Sequence, residues 1–470
     1  MLYRMENDSI GEKQVPIEAY YGIQTLRAYE NFRITKEKIH PELVKALAEI
    51  KKAAAITNMD IELLNRKIGK AIVNACDDII EGKLIEQFIT DPIQGGAGTS
   101  MNMNINEVVA NRAIEILDGK KGDYAIVHPN DHVNMGQSTN DVIPTGGKIA
   151  TMRLLDNVLE TLDNLVKVLF KKSKEFDHVI KMGRTQMQDA IPIRLGQEFR
   201  AYANAIKRDI IRIKRTKDDL KYVSIGATAI GTGLNADEKY VKNITPNLSK
   251  VTNIELIQCE DLVDGTQNLD AFAEVSSALK ICAIDLSKIC NDLRLLSSGP
   301  RTGIGEINLP PKQNGSSIMP GKINPVIPEV VNQVAFNIIG NDMTITMAVE
   351  AGQLELNAFE PVIYYNLFQS VETLNNGVNT LIDNCVGDIT ANEKRCKELV
   401  ENSVGVITAI CPHVGYKTSA KIAKTAISTG ESVKELILKE GLLKEAELDI
   451  IFNPYNMTEP GISGKELLRK

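Results

Sequence analysis

Apolar residues recur along this chain at helical rather than strand spacing. The clearest run lies between Thr266 and Ser298, where Leu269, Phe272, Val275, Leu279, Cys282, Leu286, Ile289, Leu293 and Leu296 follow one another at steps of three and four. Such a seam belongs to a helix packed in a bundle or coiled coil. About 30 residues rising about 1.5 Å each span about 45 Å, so the helix needs comparably long neighbours, from this chain or another copy. Gly299-Pro300 supplies the stop. The same spacing predicts long helices over about 144–175, 195–222, 328–352 and 361–386, which with the first make a central bundle of five. Residues before Gly136 read as shorter helices with Pro- and Gly-bearing connections. Those after about Ala391 read as short helices broken by Pro412, Gly415, Gly430 and Gly441. The expected division is an N-terminal mostly helical domain over residues 1–139, a central long-helix domain over 140–391 and a small C-terminal helical domain over 392–470.

Composition supports a mainly α protein. Aromatics make up 5% of 470 residues and Trp is absent, which argues against a large sandwich or barrel. The length allows roughly three domains of about 100–200 residues. With 54 basic and 61 acidic residues the net charge is −7, without the basic excess of a nucleic-acid binder. No apolar run approaches the roughly 18–20 residues of a membrane helix, and the N-terminus MLYRMENDSIGEK lacks the apolar core of a signal peptide. The seven cysteines are scattered with no C-x-x-C pair, which suits reduced thiols in a cytoplasmic protein.

Four loops between the predicted helices change this picture of a plain bundle. They are residues 95–106 (GGAGTSMNMNIN), 136–145 (GQSTNDVIPT), 183–190 (GRTQMQDA) and 315–325 (GSSIMPGKINP), rich in Gly, Ser, Thr and Asn. Any one of them reads as turns and caps; four together read as the lining of a pocket for a small polar ligand. The last is not a P-loop, because five residues separate Gly315 from Gly321 and Ile323 follows Lys322. Its glycines suit a mobile lid, its serines lie beside backbone N–H groups able to stabilise an alkoxide, and Lys322 and Asn324 offer donors to a carboxylate. In the second loop Ser138, Thr139, Asn140 and Asp141 are all helix-capping types, where one would suffice. His128 and His132 have an H-x3-H spacing, but Pro129 opposes a regular helix through both and no third ligand stands at a familiar distance. There is no G-x-S-x-G elbow.

In order along the chain, GAGTSMNMNINE (96–107), HPNDHVNMGQSTND (128–141), GRTQMQDAIPIRLGQEF (183–199), GATAIGTGLN (226–235) and GSSIMPGKINP (315–325) resemble the conserved blocks of the fumarase/aspartase superfamily of lyases. The resemblance runs from about Tyr20 to GISGKELL near the C-terminus. Thr139 after Ser138, Gln186 after Thr185 and the stretch MAVEAGQLELN (347–357) are similar to the aspartase branch rather than to fumarases, which carry a second Ser and a His at the first two places. Ammonia leaves from an already protonated amine, so loss of that His is chemically tolerable.

The resemblance implies a three-domain helical chain in a homotetramer with a twenty-helix core, each active site assembled from three chains. It implies reversible anti-elimination of ammonia from L-aspartate to fumarate through an aci-carboxylate, with Ser316 as the base in alkoxide form. Lys322 and Asn324 are then expected to bind substrate carboxylate, Thr185 and Gln186 the β-carboxylate, and Thr99, Ser138, Thr139 and Asn140 the α-carboxylate and ammonium. Glu329 is expected to support the site from behind, and His128, Asn130 and Asp131 resemble a secondary anion site. No organic cofactor is implied, and a divalent activator has no ligand spacing behind it. Nucleic-acid and membrane partners are not expected. Fumarate hydratase is the rival activity on the same fold; a non-catalytic helical scaffold is the rival from another class.

Overall fold

The computed structural model describes residues 2–468. An antiparallel hairpin, β1 (Tyr3–Asp8) and β2 (Gly11–Pro16), opens the chain. Helices α1 (Ile23–Asn31), α2 (Pro41–Asp60), α3 (Arg66–Ile80) and α4 (Thr99–Ile116) follow. Then comes α5 (Thr139–Glu175), 37 residues long. A second hairpin, β3 (Ile180–Thr185) and β4 (Gln188–Arg194), leads into α6 (Leu195–Leu220). Helices α7 (Glu238–Thr252) and α8 (Leu262–Gln267) precede the remaining long helices, α9 (Asp270–Leu296), α10 (Val326–Glu350) and α11 (Glu360–Asn384). Short helices α12 (Glu393–Asn402), α13 (Ile407–Val414), α14 (Tyr416–Thr429), α15 (Val433–Lys439) and α16 (Glu445–Ile451) carry a small core of Val406, Ile410, Ile422, Val433, Leu436, Ile437, Leu448 and Ile451.

The five long helices lie where the periodicity places them, with ends shifted by a few residues. The largest shift is at α5, which starts at Thr139 because Ser138 caps it: its Oγ accepts from the Asn140 N–H at 3.2 Å. Pro144 therefore sits inside the helix rather than at its start. All nine seam residues around α9 are buried within one chain, none more than 7% exposed. The apolar face left open is on α10, where Phe336, Ile339, Met343 and Met347 recur at helical spacing and are 38–65% exposed.

The residues divide into two compact units: one holds those up to Glu160, Asp209–Ala283 and Val334–Asn375; the other holds Thr161–Arg208, Ile284–Gln333 and those from Asn376 on. The long helices contribute segments to both. In the first unit the small residues of α5 let aromatic bulk approach its backbone. Tyr364 of α11 is fully buried, edge-on to Phe272 of α9 at 5.2 Å and stacked on Phe368 at 5.7 Å. A Cβ on Gly147 would lie 2.4 Å from that tyrosine ring, and one on Gly146 2.9 Å from Leu47. Helix α1 has no side-chain cap of its own at Gly22. Buried Glu107 of α4 takes that role, accepting from the N–H groups of Gly22, Gln24 and Thr25 at 2.8–3.1 Å.

Gly147→Ala tests this packing. Alanine is the better helix former by about 1 kcal/mol, yet the steric conflict with Tyr364 predicts a net loss of about 1–3 kcal/mol in denaturant unfolding. An equal or raised stability would contradict the close approach.

Candidate active site

In the first unit two helix N-termini meet. Thr99 is the first residue of α4, exposed, with its hydroxyl donating to the Gly96 carbonyl at 2.7 Å. Gly98 before it has φ +84°, and a Cβ there would touch Ile143 of α5 at 3.0 Å, so only glycine lets α4 start beside α5. Asn102 of α4 donates to the Thr139 hydroxyl of α5 at 3.3 Å. Ser138, Thr139 and Asn140 are half-buried at the head of α5. Two positive helix ends and their hydroxyls make this a place for an anion.

Asp141 ties this corner to the loop after α6. Its fully buried carboxylate accepts from the N–H groups of Ser138 (2.9 Å), Gly226 (3.1 Å) and Thr228 (2.9 Å), while Asn140 donates to the Ala229 carbonyl at 2.7 Å. Burial raises the Asp141 carboxyl to about 6, against the pull of those three donors and of Lys51. Lys51 of α2 donates to the side-chain oxygens of Asn102, Asn134 and Gln137 at 2.7, 2.8 and 2.9 Å.

The second unit carries the other two blocks. Thr185 and Gln186 stand exposed at the tip of the β3–β4 hairpin. Gln186 and Met187 both have positive φ, 53° and 64°, a turn that glycine or asparagine normally fills. Strand β3 is held by charge along its length: Glu306, fully buried, receives Arg184 at 2.9 Å and lies 3.2 Å from Lys181, which also donates to Glu198 at 2.8 Å. The 315–325 loop is closed at its base by the Gly315 N–H donating to the Lys322 carbonyl and Asn324 donating to the Gly315 carbonyl, both at 2.8 Å. A Cβ on Gly315 would lie 2.4 Å from that Lys322 oxygen, so the closure requires glycine. Ser316 Oγ accepts from the N–H groups of Ile318 and Met319 at 3.2 and 3.1 Å. Lys322 is exposed, and Glu329 is half-buried in the first turn of α10. The Asn324 amide, expected to face substrate, thus already makes one bond inside the loop.

His128 caps a short π-helical turn: its Nδ1 accepts from the N–H groups of Asn130 and Asp131 at 3.2 and 3.1 Å and lies 3.4 Å from the Asp131 carboxylate. His132 Nδ1 accepts from the His128 N–H at 2.9 Å. Both rings of the H-x3-H pair are therefore engaged with backbone, and Asn130 and Asp131 are exposed.

Sequence reasoning left Lys51, Asn134 and Gln137 unremarked and took Asp141 only as a capping type. Lys51 had a signal: it stands on the face of α2 that Leu47, Ile50, Ala54 and Ala55 mark as inward.

The geometry has close counterparts. A lyase family model matches residues 11–340, and one for the fumarase C C-terminus matches residues 406–459. The chain is 58% identical to the aspartate ammonia-lyase of Bacillus subtilis (strain 168), covering 100% of this chain and 98% of the relative. It is 48% identical to that of Escherichia coli (strain K12), covering 98% and 97%. The chain belongs to the aspartate ammonia-lyase family of lyases. Solved structures agree on the fold. A fumarate lyase:delta crystallin from Brucella melitensis bound to cobalt superposes with TM-score 0.96 at 49% identity, covering 98% of this chain and 100% of that one. A class II fumarase from Schistosoma mansoni does so with TM-score 0.93 at 36% identity, covering 98% and 100%.

Asp141→Asn probes the tie between the two loops. An amide places N–H against one set of backbone N–H donors, so a stability loss of about 1–3 kcal/mol is expected, with a raised KM for substrate. An unchanged KM would remove Asp141 from the support of the site.

Proposed function

We propose that the protein catalyses the reversible anti-elimination of ammonia from L-aspartate to give fumarate, with Ser316 as the base. What carries the reading is the Ser316 hydroxyl, whose oxygen already accepts two backbone N–H bonds in a loop that also bears Lys322. A serine is a base only as the alkoxide, and those donors with Lys322 favour the negative oxygen once the loop closes on substrate and excludes water. The alkoxide takes the proton from the carbon beside the β-carboxylate. The released electron pair is held by that carboxylate as the aci form, with Thr185 and Gln186 donating to it. The pair then returns to form the double bond, and ammonia leaves from the neighbouring carbon. Thr99, Ser138, Thr139 and Asn140 hold the α-carboxylate and the ammonium, and Glu329 supports the start of α10. No organic cofactor is required, because the substrate's own carboxylate stores the charge.

The chain acts as a homotetramer in which three copies contribute to each site. Two observations support this: the open apolar stripe on α10, and the exposure of Thr99, Thr185, Gln186 and Lys322 within one chain, which leaves each block needing a further surface to become dry. A secondary anion site at His128, Asn130 and Asp131 is supported by the half-exposed ring, whose Nε2–H is left to donate while Nδ1 caps the turn. Cytoplasmic residence is supported by the seven cysteines, which are scattered along the sequence with no C-x-x-C pair. Among the described residues no helix is long and apolar enough to cross a membrane.

Following fumarate by ultraviolet absorbance with L-aspartate and, separately, L-malate tests the reading. Fumarate should form from L-aspartate. Fumarate from malate alone would make the protein a hydratase on the same fold, and turnover of neither by the assembled protein would make it a scaffold.

A further inference from the structure

A buried polar chain runs behind Thr139, and helix packing alone gives no reason for it. Lys51 has no solvent exposure, yet its Nζ lies 2.7, 2.8 and 2.9 Å from the side-chain oxygens of Asn102, Asn134 and Gln137. The amide orientations are fixed independently of the lysine. Asn102 donates to Asn134 and Thr139, Asn134 donates to the Gln137 carbonyl, and Gln137 donates to the carbonyls of Val133 and Met135. Three oxygens around one nitrogen use all three hydrogens of an ammonium, and none of the three is charged. The nearest carboxylate, Asp141, bonds to backbone N–H groups instead. At the far end of the chain, the Asn102 amide occupies the Thr139 oxygen, which leaves the one Thr139 O–H free to donate outward.

We propose that Lys51 is the positioning residue of the half-site formed by Thr99, Ser138, Thr139 and Asn140, and that a carboxylate bound there adds a second counter-charge to the buried ammonium, beyond that of Asp141. The inference rests on the carboxylate-binding role proposed above for those residues. It has a thermodynamic consequence. Burial lowers Lys51 to about 7. A bound anion favours the charged form and raises it again. Binding at pH 8 therefore draws a proton from the buffer onto the Lys51 amine, whereas at pH 6 the amine is already protonated and takes up little itself. Of the other groups facing this junction, Asp141 from α5 sits at about 6, the acid end of that window, and is ionised at pH 8. Burial holds Cys76 of α3 as a thiol and Tyr240 of α7, beside Asp141, as a neutral phenol. The partners from α4 and the 134–137 segment are amides.

Calorimetric titration of the assembled protein with fumarate, in two buffers of different ionisation enthalpy, counts these protons. Wild type should take up close to one proton per site at pH 8, and the share owed to Lys51, read as the difference from Lys51→Met, should fall toward none at pH 6. Lys51→Met should abolish the uptake and weaken fumarate binding at least about tenfold, with KM for L-aspartate rising more than kcat falls. Gln137→Met removes one acceptor without touching Thr139 and should move the uptake window to lower pH. No uptake by wild type at pH 8, the same uptake in Lys51→Met, or an unmoved window in Gln137→Met would each overturn the inference. Failure of wild type to bind fumarate at all would instead overturn the carboxylate-binding reading on which it rests. The wild-type proton count and Gln137→Met decide the matter even if Lys51→Met does not assemble.

Discussion

A single buried carboxylate holds the polar loops of the first unit in register. Asp141 sits three residues past the cap of α5, and its two oxygens collect N–H groups from its own helix start and from the 226–228 turn. An unpartnered carboxylate in that position would be driven to its neutral form. The three donors, with Lys51 nearby, keep it close to the ionised state instead. The same junction sets where α4 begins, because Asn102 bridges Lys51 to Thr139 and Gly98 admits Ile143. The hydroxyls of Ser138 and Thr139 are therefore placed from behind, by a desolvated network, rather than by the flexible loop that bears them.

The second unit uses a different device. The Ser316 loop is shaped by its own backbone, closed through Gly315, Lys322 and Asn324, and its residues are largely exposed. The Thr185–Gln186 tip is firmer, because Glu306 clamps β3 through Arg184, beside the tip, and Lys181. A rigid receptor for carboxylates and a looser loop bearing the base match the demands of the proposed chemistry. Charge must be met by dipoles already in place, while the base must be covered to become an alkoxide.

The helical frame was legible because burial alone decides it. Every seam residue around α9 is buried, and Ser138 caps α5. The β1–β2 hairpin was not legible, because its polarity is inverted: Tyr3 and Met5 face water while Glu6 is buried, held by Arg4 at 2.7 Å and accepting the Ile23 N–H at 2.8 Å. The same inversion hides Lys51, a charge on a face whose period demands an apolar residue. The candidate blocks were readable from their residue types, but their internal bonds were not. Nothing in GSSIMPGKINP announces that Asn324 bonds back to Gly315, and nothing in HPNDH announces that His128 caps its own turn. Those bonds depend on backbone angles that composition leaves open.

The base is the claim on which the proposed chemistry turns, so the most direct measurement is the turnover of L-aspartate by Ser316→Ala, made alongside its fumarate affinity and oligomeric mass. The account predicts turnover reduced by about 10²–10⁴-fold, with fumarate still bound and the assembly unchanged. Turnover near the wild-type rate in the Ser316→Ala protein would contradict it.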